Sequence, residues 1–321
     1  MNTTGAILVT GGAGFIGSHM ADRLLGTGSR VVVFDNFNDF YPPAIKERNV
    51  APNLDHPGYR LVRGDLTDRA ALEALFAEEH FDAVVHLAAL GGVRPSIADP
   101  ARYVQTNLLG TTHLLEAMKC AEVKKLLFAS SSSVYGNCRE MVFSETLDVS
   151  QPISPYAATK SAGEQLCHVY SKLCGMNVVA LRFFTVYGPR QRPDLAIAKF
   201  CRLIREGKPI PVYGDGTTER DYTYIDDIID GLVAALEYHD TPFEIINLGG
   251  GEPVTLSRMI EVVEEALRRK AVIVRKPPQP GDVVKTAADI GKARELLGYF
   301  PRVTFREGVR NYVRYLEGIE N

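Results

Sequence analysis

Two side chains one helical turn apart, Tyr156 and Lys160, have types and spacing that suggest chemistry. They stand in Ser154-Pro155-Tyr156-Ala157-Ala158-Thr159-Lys160, and at i and i+4 they share one helix face. A free phenol loses its proton near pH ~10 and is a poor base at neutral pH. A neighbouring ammonium favours the phenolate, so such a tyrosine can take a proton from a hydroxyl. Alone the pair says little, because Tyr and Lys are common on exposed helix faces. A run of hydroxyls, Ser130-Ser131-Ser132-Ser133, ends the strand before that helix. A hydroxyl there can bridge Tyr156 and a reacting oxygen; without Tyr156 the run reads as a Ser-rich turn.

A second constellation lies near the start, in Ile7-Leu8-Val9-Thr10-Gly11-Gly12-Ala13-Gly14-Phe15-Ile16-Gly17. The apolar run reads as a buried strand and breaks into a glycine turn. Phe15, Ile16, Met20 and Leu24 then recur at helical spacing. Strand, glycine turn, helix is the context in which a backbone approaches the pyrophosphate of a dinucleotide at a helix N-terminus. The spacing is G-x-x-G-x-x-G, not the commoner G-x-G-x-x-G, and a plain strand-to-helix turn is the alternative. Asp35 ends the next strand. A carboxylate there accepts hydrogen bonds from both ribose hydroxyls of adenosine and repels a 2′-phosphate, favouring NAD over NADP. Its other reading is a strand-end turn residue. Asp65, ending the third strand, either reaches the adenine or caps a helix.

These groups need a scaffold, and the first half of the chain supplies one by alternating strand and helix. Strands are expected at Arg30–Asp35, Tyr59–Asp65, Ala83–Ala89, Lys125–Ser130 and Val178–Phe184. Helices are expected at Ala70–Glu79, from about Pro100 to Ala121 after Asp99, and from Pro155 to about Cys174. The pattern predicts a doubly wound parallel sheet covered on both faces. Beyond Tyr187 it loosens. Gly188 to Asp194 reads as a loop, Leu195–Arg205 as a helix, Pro209–Tyr213 as a short strand and Tyr222–Ile225 as another. Asp226 or Asp227 is expected to cap the next helix. Glu244–Leu248 reads as a strand, Leu256–Arg269 as an amphipathic helix, Pro277–Asp282 as a rigid loop, and Phe305, Val309, Val313 and Leu316 stripe a last helix. These later segments suggest a smaller α/β domain, with some elements returning to the sheet.

Bulk properties narrow the function. The 321 residues are 45% hydrophobic and 23% charged, ordinary for a soluble globular enzyme. A net charge of −3 with no basic block argues against nucleic acid or an anionic membrane as main partner. Five scattered cysteines, an odd number without a CxxC pair, fit a reduced cytoplasmic protein, and seven dispersed His offer no metal-ligand spacing. The chain enters a strand almost at once, with no signal peptide or apolar run of ~18 residues.

The motifs together carry a resemblance over nearly the whole length. The chain resembles the extended short-chain dehydrogenase/reductases, specifically the NAD-dependent nucleotide-sugar epimerases. The likeness rests on Thr10 to Gly17, Asp35-Asn36, His86-Leu87-Ala88-Ala89, Asn107, Ser131, Tyr156 with Lys160, Tyr187-Gly188-Pro189, and Arg220-Asp221-Tyr222-Thr223-Tyr224-Ile225-Asp226-Asp227. Among these it is most similar to the UDP-glucuronate 4-epimerases, in Asp35 to Tyr41 and Leu181 to Asp194.

The resemblance implies a Rossmann domain over 1–186 plus about 223–249, and a UDP-sugar-binding domain over 187–222 plus about 250–321. It implies Ser131, Tyr156 and Lys160 as the catalytic set. It implies NAD contacts from Gly11, Gly14, Phe15, Ile16, Gly17, Asp35, Asn36, Asn38, Asp65, Leu66, Leu87, Ala88, Ala89, Asn107, Tyr156, Lys160, Phe183 and Val186. Substrate contacts would come from Arg94, Ser132, Ser133, Thr185, Arg192, Lys199, Val212, Tyr213, Arg220 and Asp282. Arg192, with Thr185, would pair with a sugar carboxylate. Relatives dimerise through helices like 100–121 and 155–174, so a homodimer is expected.

Departures matter too. Sugar 4,6-dehydratases carry Asp-Glu where this chain has Ser132-Ser133, and UDP-glucuronate decarboxylases carry Glu at Ser133. UDP-galactose 4-epimerases have Asn at Thr185. The rival readings are a 4-epimerase of UDP-glucose or UDP-N-acetylglucosamine and, behind it, a UDP-glucuronate decarboxylase or a non-catalytic NAD-binding regulator on the same fold.

Overall fold

Runs that are apolar at every position must be covered on both faces, and β1 (Ala6–Thr10) is buried along its whole length. It starts a regular alternation: α1 (Phe15–Gly26), β2 (Arg30–Asp35), α2 (Pro43–Val50), β3 (Tyr59–Arg63), α3 (Arg69–Glu78) and β4 (Phe81–His86). Next come α4 (Val93–Ala98), α5 (Pro100–Tyr103), a π-helical stretch Val104–Leu109, α6 (Gly110–Cys120), β5 (Lys125–Ser131), α7 (Pro155–Cys174) and β6 (Asn177–Phe183). This computed structural model describes residues 5–138, 140–277 and 285–320.

The strands pair in the order β10-β6-β5-β4-β1-β2-β3, all parallel, where β10 (Phe243–Leu248) returns from late in the chain. Side-chain alternation splits the core between the two faces. Ile7, Val9, Val31 and Val33 pack on one face; Ala6, Leu8, Val32 and Phe34 pack on the other. The order reverses between β1 and β4, and in open α/β sheets the crevice at that switch point is where ligands bind.

The rest of the chain builds over this crevice. It comprises β7 (Thr185–Tyr187), α8 (Ala196–Arg205), β8 (Ile210–Tyr213), β9 (Glu219–Tyr224), α9 (Ile225–Glu237), β11 (Pro253–Thr255), α10 (Leu256–Leu267), β12 (Ile273–Lys276), α11 (Gly291–Leu297) and α12 (Phe305–Glu320). Strands β11, β9 and β7 form one small sheet, and β12 with β8 another. Val212, Met259 and Val309 belong to the same buried cluster as Ile7 and Val9, so the two parts share a core. Asp221, wholly buried, takes N–H bonds from Gly250 (2.6 Å), Gly251 (3.0 Å) and Ala288 (2.9 Å), tying two segments to β9.

Several expectations need correction. The helix expected over 100–121 is interrupted by the π-helical stretch. There the buried Asn107 amide bonds the backbone of Leu90 instead of lying along the helix. The fourth strand stops at His86, not Ala89, and 87–92 turn out of the sheet. Neither Asp226 nor Asp227 caps α9. Both lie inside its first turn, and Asp227 accepts N–H bonds from Arg302 (2.9 Å) and Val303 (3.2 Å). Helix α3 is capped by Asp68, not by Asp65. The loop expected at Pro277–Asp282 falls, beyond Pro277, outside the described residues. Among the described residues, no helix is long and apolar enough to cross a membrane, and no three His, Cys, Asp or Glu gather to hold a metal.

Candidate active site

The crevice is a cleft of about 480 Å³. Its floor is the glycine turn, and the backbone there leaves no room for side chains. Gly11 has φ +70°, and a Cβ on it would meet the Ala88 backbone at 2.7 Å; a Cβ on Gly17 would stand 2.2 Å from the Gly11 carbonyl oxygen. The cradle fits a dinucleotide pyrophosphate, which needs close backbone approach at a helix start. Thr10 and His86 hold its two sides together. Thr10 Oγ1 meets His86 Nδ1 at 2.7 Å, and His86 Nε2 meets Thr111 Oγ1 at 2.9 Å. Burial pushes the His86 imidazole down to about 3, so it is neutral.

At the end of β2, the buried Asp35 accepts from Ala13 N (3.1 Å) and Phe37 N (2.8 Å). Lys46, which sequence reasoning missed, lies 3.7 Å from it and is equally buried. Burial lowers the Lys46 pKa, and Asp35 opposes that shift. Asn36 donates to Asp65 (2.7 Å), and Asn38 is bonded to Asn36 and Lys46. Nothing in the local sequence around Lys46 marks it as a cleft residue. Only the fold-back of α2 after the 36–42 loop brings it there.

The reactive end is built by β5, α7 and β6. Ser154 caps α7 through Ala157 N (3.1 Å), with Pro155 at its first position. That fixes the phase at which Tyr156 and Lys160 face the cleft. Ser131 Oγ accepts from Ser133 N and donates to Ser133 Oγ, both at 3.2 Å. Burial raises the Tyr156 pKa, while the facing Ser131 hydroxyl and the Arg192 charge favour the phenolate. Lys160 was expected to do that. Instead its Nζ donates to the Ala129 carbonyl at 2.7 Å, and burial lowers it to about 8. Beneath lies a buried ion pair: Arg182 donates twice to Glu164, each at 2.8 Å, and Ser130 Oγ also donates to Glu164.

The substrate side is closed by the loop after β7. It is pinned to α1 where His19 Nε2 meets the Pro189 oxygen at 3.0 Å and Arg190 pairs with Asp22 at 2.7 Å. Arg192 projects from it into the cleft, with Thr185, Ser132 and Ser133 on the same lining.

All the residues expected to contact NAD line this cleft except Asn107, which lies behind it and supports Leu90 and Thr159. The expected catalytic set lines it too, as do Ser132, Ser133, Thr185 and Arg192. Of the described substrate residues expected, Arg94, Lys199, Val212, Tyr213 and Arg220 do not. Arg94 sits over the Tyr213 ring at 5.4 Å, Arg220 donates to the Glu219 carbonyl (2.8 Å), Val212 is buried in the core, and Lys199 lies on α8. Asp282 is outside the described residues. Phe40, Tyr41, Gly91, Gly92 and Thr106 also line the cleft and were not anticipated.

Known proteins are similar to this chain in sequence and fold. UDP-glucuronate 4-epimerase of Thermodesulfobacterium geofontis is 42% identical over 97% of this chain and 96% of its own. UDP-glucuronic acid 4-epimerase of Bacillus cereus, solved with UDP-glucuronic acid and NAD, is 40% identical, with a TM-score of 0.92 over 98% of this chain and 99% of its own. UDP-glucose 4-epimerase of Thermus thermophilus, solved with NAD, is 36% identical, with a TM-score of 0.89 over 98% of this chain and 99% of its own. The family model of NAD dependent epimerases and dehydratases matches residues 7–249. With a glycine cradle, a Ser-Tyr-Lys cleft and this breadth of likeness, the chain belongs to the NAD dependent epimerase/dehydratase family.

Proposed function

We propose that this chain is an NAD-dependent 4-epimerase that interconverts UDP-glucuronate and UDP-galacturonate. The observation that carries the reading is Arg192 lining the same cleft as Ser131, Tyr156 and Thr185, within electrostatic reach of the Tyr156 phenol. Relatives named for this reaction are about 40% identical over nearly the whole chain.

The Gly11–Gly17 turn, Asp35 and the 87–89 segment hold NAD. When bound, NAD supplies reversible hydride acceptance at sugar carbon 4, so the sugar passes through a planar 4-keto form. Tyr156, with Ser131 beside it, takes the 4-hydroxyl proton and, once the planar keto sugar has turned its other face to the cofactor, returns it to the 4-oxygen. Lys160, fixed by the Ala129 carbonyl, adds positive charge under the reacting end. A 4-keto uronate is a β-keto acid and loses carbon dioxide easily. Arg192 and Thr185 hold its carboxylate so that the breaking bond is not aligned with the ketone. Ser132 and Ser133 bring no carboxylate to this wall, which supports epimerisation over water elimination or decarboxylation.

The remaining parts of the reading are the division into an NAD-binding domain (1–186 plus about 223–249) and a substrate domain, a cytoplasmic location and a homodimer. Five free cysteines support the location. Val104, Leu109, Val169 and Leu173 are exposed apolar side chains on the π-helical stretch and α7, and they support a dimer through these helices. The direct test is incubation with UDP-glucuronate and separation of glucuronate, galacturonate and pentose products. Galacturonate as the main product is expected. Turnover of UDP-glucose with none of UDP-glucuronate would overturn the assignment.

A further inference from the structure

Arg192 is held on three sides, and only one of the holders belongs to its own loop. Asp194 takes the side-on edge of the guanidinium, from Nε (3.0 Å) and Nη2 (2.7 Å). Gly91 makes room for Nη1: a Cβ there would stand 2.7 Å from that nitrogen. Its Cζ lies over the Phe40 ring, 5.0 Å from the centroid. A guanidinium has five N–H donors in a fixed fork. With its side-on edge engaged by Asp194, the end-on edge is left for a second carboxylate.

Phe40 reaches Arg192 from the other end of the cleft. Its N–H donates to Asn38 Oδ1 (3.1 Å), which also receives Lys46 Nζ (3.2 Å). Asn38 in turn bonds Asn36 (2.9 Å), and Asn36 donates to Asp65 (2.7 Å). One chain of contacts therefore runs from the carboxylates at the dinucleotide end to the cation at the sugar end.

We propose that Phe40 is the positioning residue for substrate selectivity: its ring holds the Arg192 guanidinium beside Gly91 so that its end-on edge meets a carboxylate on the sugar. The inference rests on the uronate reading above and deepens it. A neutral sugar has no carboxylate to reward this placement, so Phe40 matters for one substrate class and not for the other. An aliphatic side chain of similar bulk keeps the packing but loses the ring's attraction for the cation.

The test is calorimetric titration of the NAD-loaded protein with UDP-glucuronate and with UDP-glucose, in wild type, Phe40→Leu and Phe40→Trp. Wild type is expected to prefer UDP-glucuronate. Phe40→Leu is expected to weaken UDP-glucuronate about tenfold, the scale of a lost desolvated cation–π contact, and UDP-glucose less than twofold. Phe40→Trp is expected to restore the preference. Parallel weakening of both ligands by Phe40→Leu, or an unchanged preference, would overturn the proposal while leaving the uronate reading intact. A wild type that binds both sugars equally would overturn the uronate reading, and this inference with it.

Discussion

Replacing Glu164 by Gln strips one charge from a pair sealed beneath the cleft. The Arg182 side chain is 2% exposed and that of Glu164 4%. They share two hydrogen bonds of 2.8 Å, and Arg182 also lies over the Tyr135 ring at 4.8 Å. A glutamine can accept one of these bonds but leaves the guanidinium buried without a counter-charge. Breaking such a pair on one side costs about 3–5 kcal/mol. In a chain of this size each kcal/mol lowers the unfolding midpoint by about 2 °C, so a fall of about 6–10 °C is expected. The assay is scanning calorimetry at fixed protein and NAD concentrations, because ligand occupancy shifts the midpoint by itself. The double variant Glu164→Leu with Arg182→Met removes both charges, and about half of the loss should return. A Glu164→Gln protein within about 2 °C of wild type, or a double variant less stable than the single one, would refute the argument.

Other outcomes follow from the same geometry. Arg192→Ala should lower kcat/KM for UDP-glucuronate about a hundredfold, the loss of a charge-assisted bond of about 3 kcal/mol, and that for UDP-glucose by less, through the lost charge beside the Tyr156 phenol alone; paired steady-state assays measure both. Gly17→Ala should yield folded protein with little bound NAD, read from the absorbance of the denatured supernatant, because the new Cβ would press on the Gly11 carbonyl. Burial holds His19 down to about 4 and His86 to about 3, below the ordinary 6.5. Their folded values are depressed, so the unfolded chain binds protons first. Their stabilising contribution is complete above pH ~6.5 and is lost as pH falls toward ~4. Denaturant titrations at pH 7, 6 and 5 should show falling stability, and His86→Gln should flatten that slope.

Much of the scaffold was legible because its determinants are local. Apolar runs such as Ile7–Val9 and Val31–Phe34 have one use in a domain that alternates strand and helix, and Ser154-Pro155 marks a helix start unambiguously. The glycine turn was legible for the same reason: its shape follows from residues that touch each other in sequence. What escaped depends on distant partners. Helix α2 carries few apolar positions, so only the folded chain reveals that it delivers Lys46 to Asp35. The π-helical stretch exists because Asn107 bonds Leu90 across a loop. Lys160 turns to the Ala129 carbonyl, a neighbour supplied by another strand, and Arg192 becomes the cation that favours the Tyr156 phenolate. At the substrate end, Arg94, Lys199, Val212, Tyr213 and Arg220 were inferred from likeness alone. The cleft does not reach them, and Val212 spends its side chain on the core.

The central claim is that one cleft removes the 4-hydrogen of a uronate and returns the same hydrogen to the opposite face. UDP-glucuronate carrying deuterium at carbon 4, converted to equilibrium in ordinary water and analysed by mass and NMR spectroscopy, tests it directly. Full retention of deuterium at carbon 4 of UDP-galacturonate, without pentose, is expected. Loss of the label to solvent, or a labelled pentose as the main product, would contradict the account.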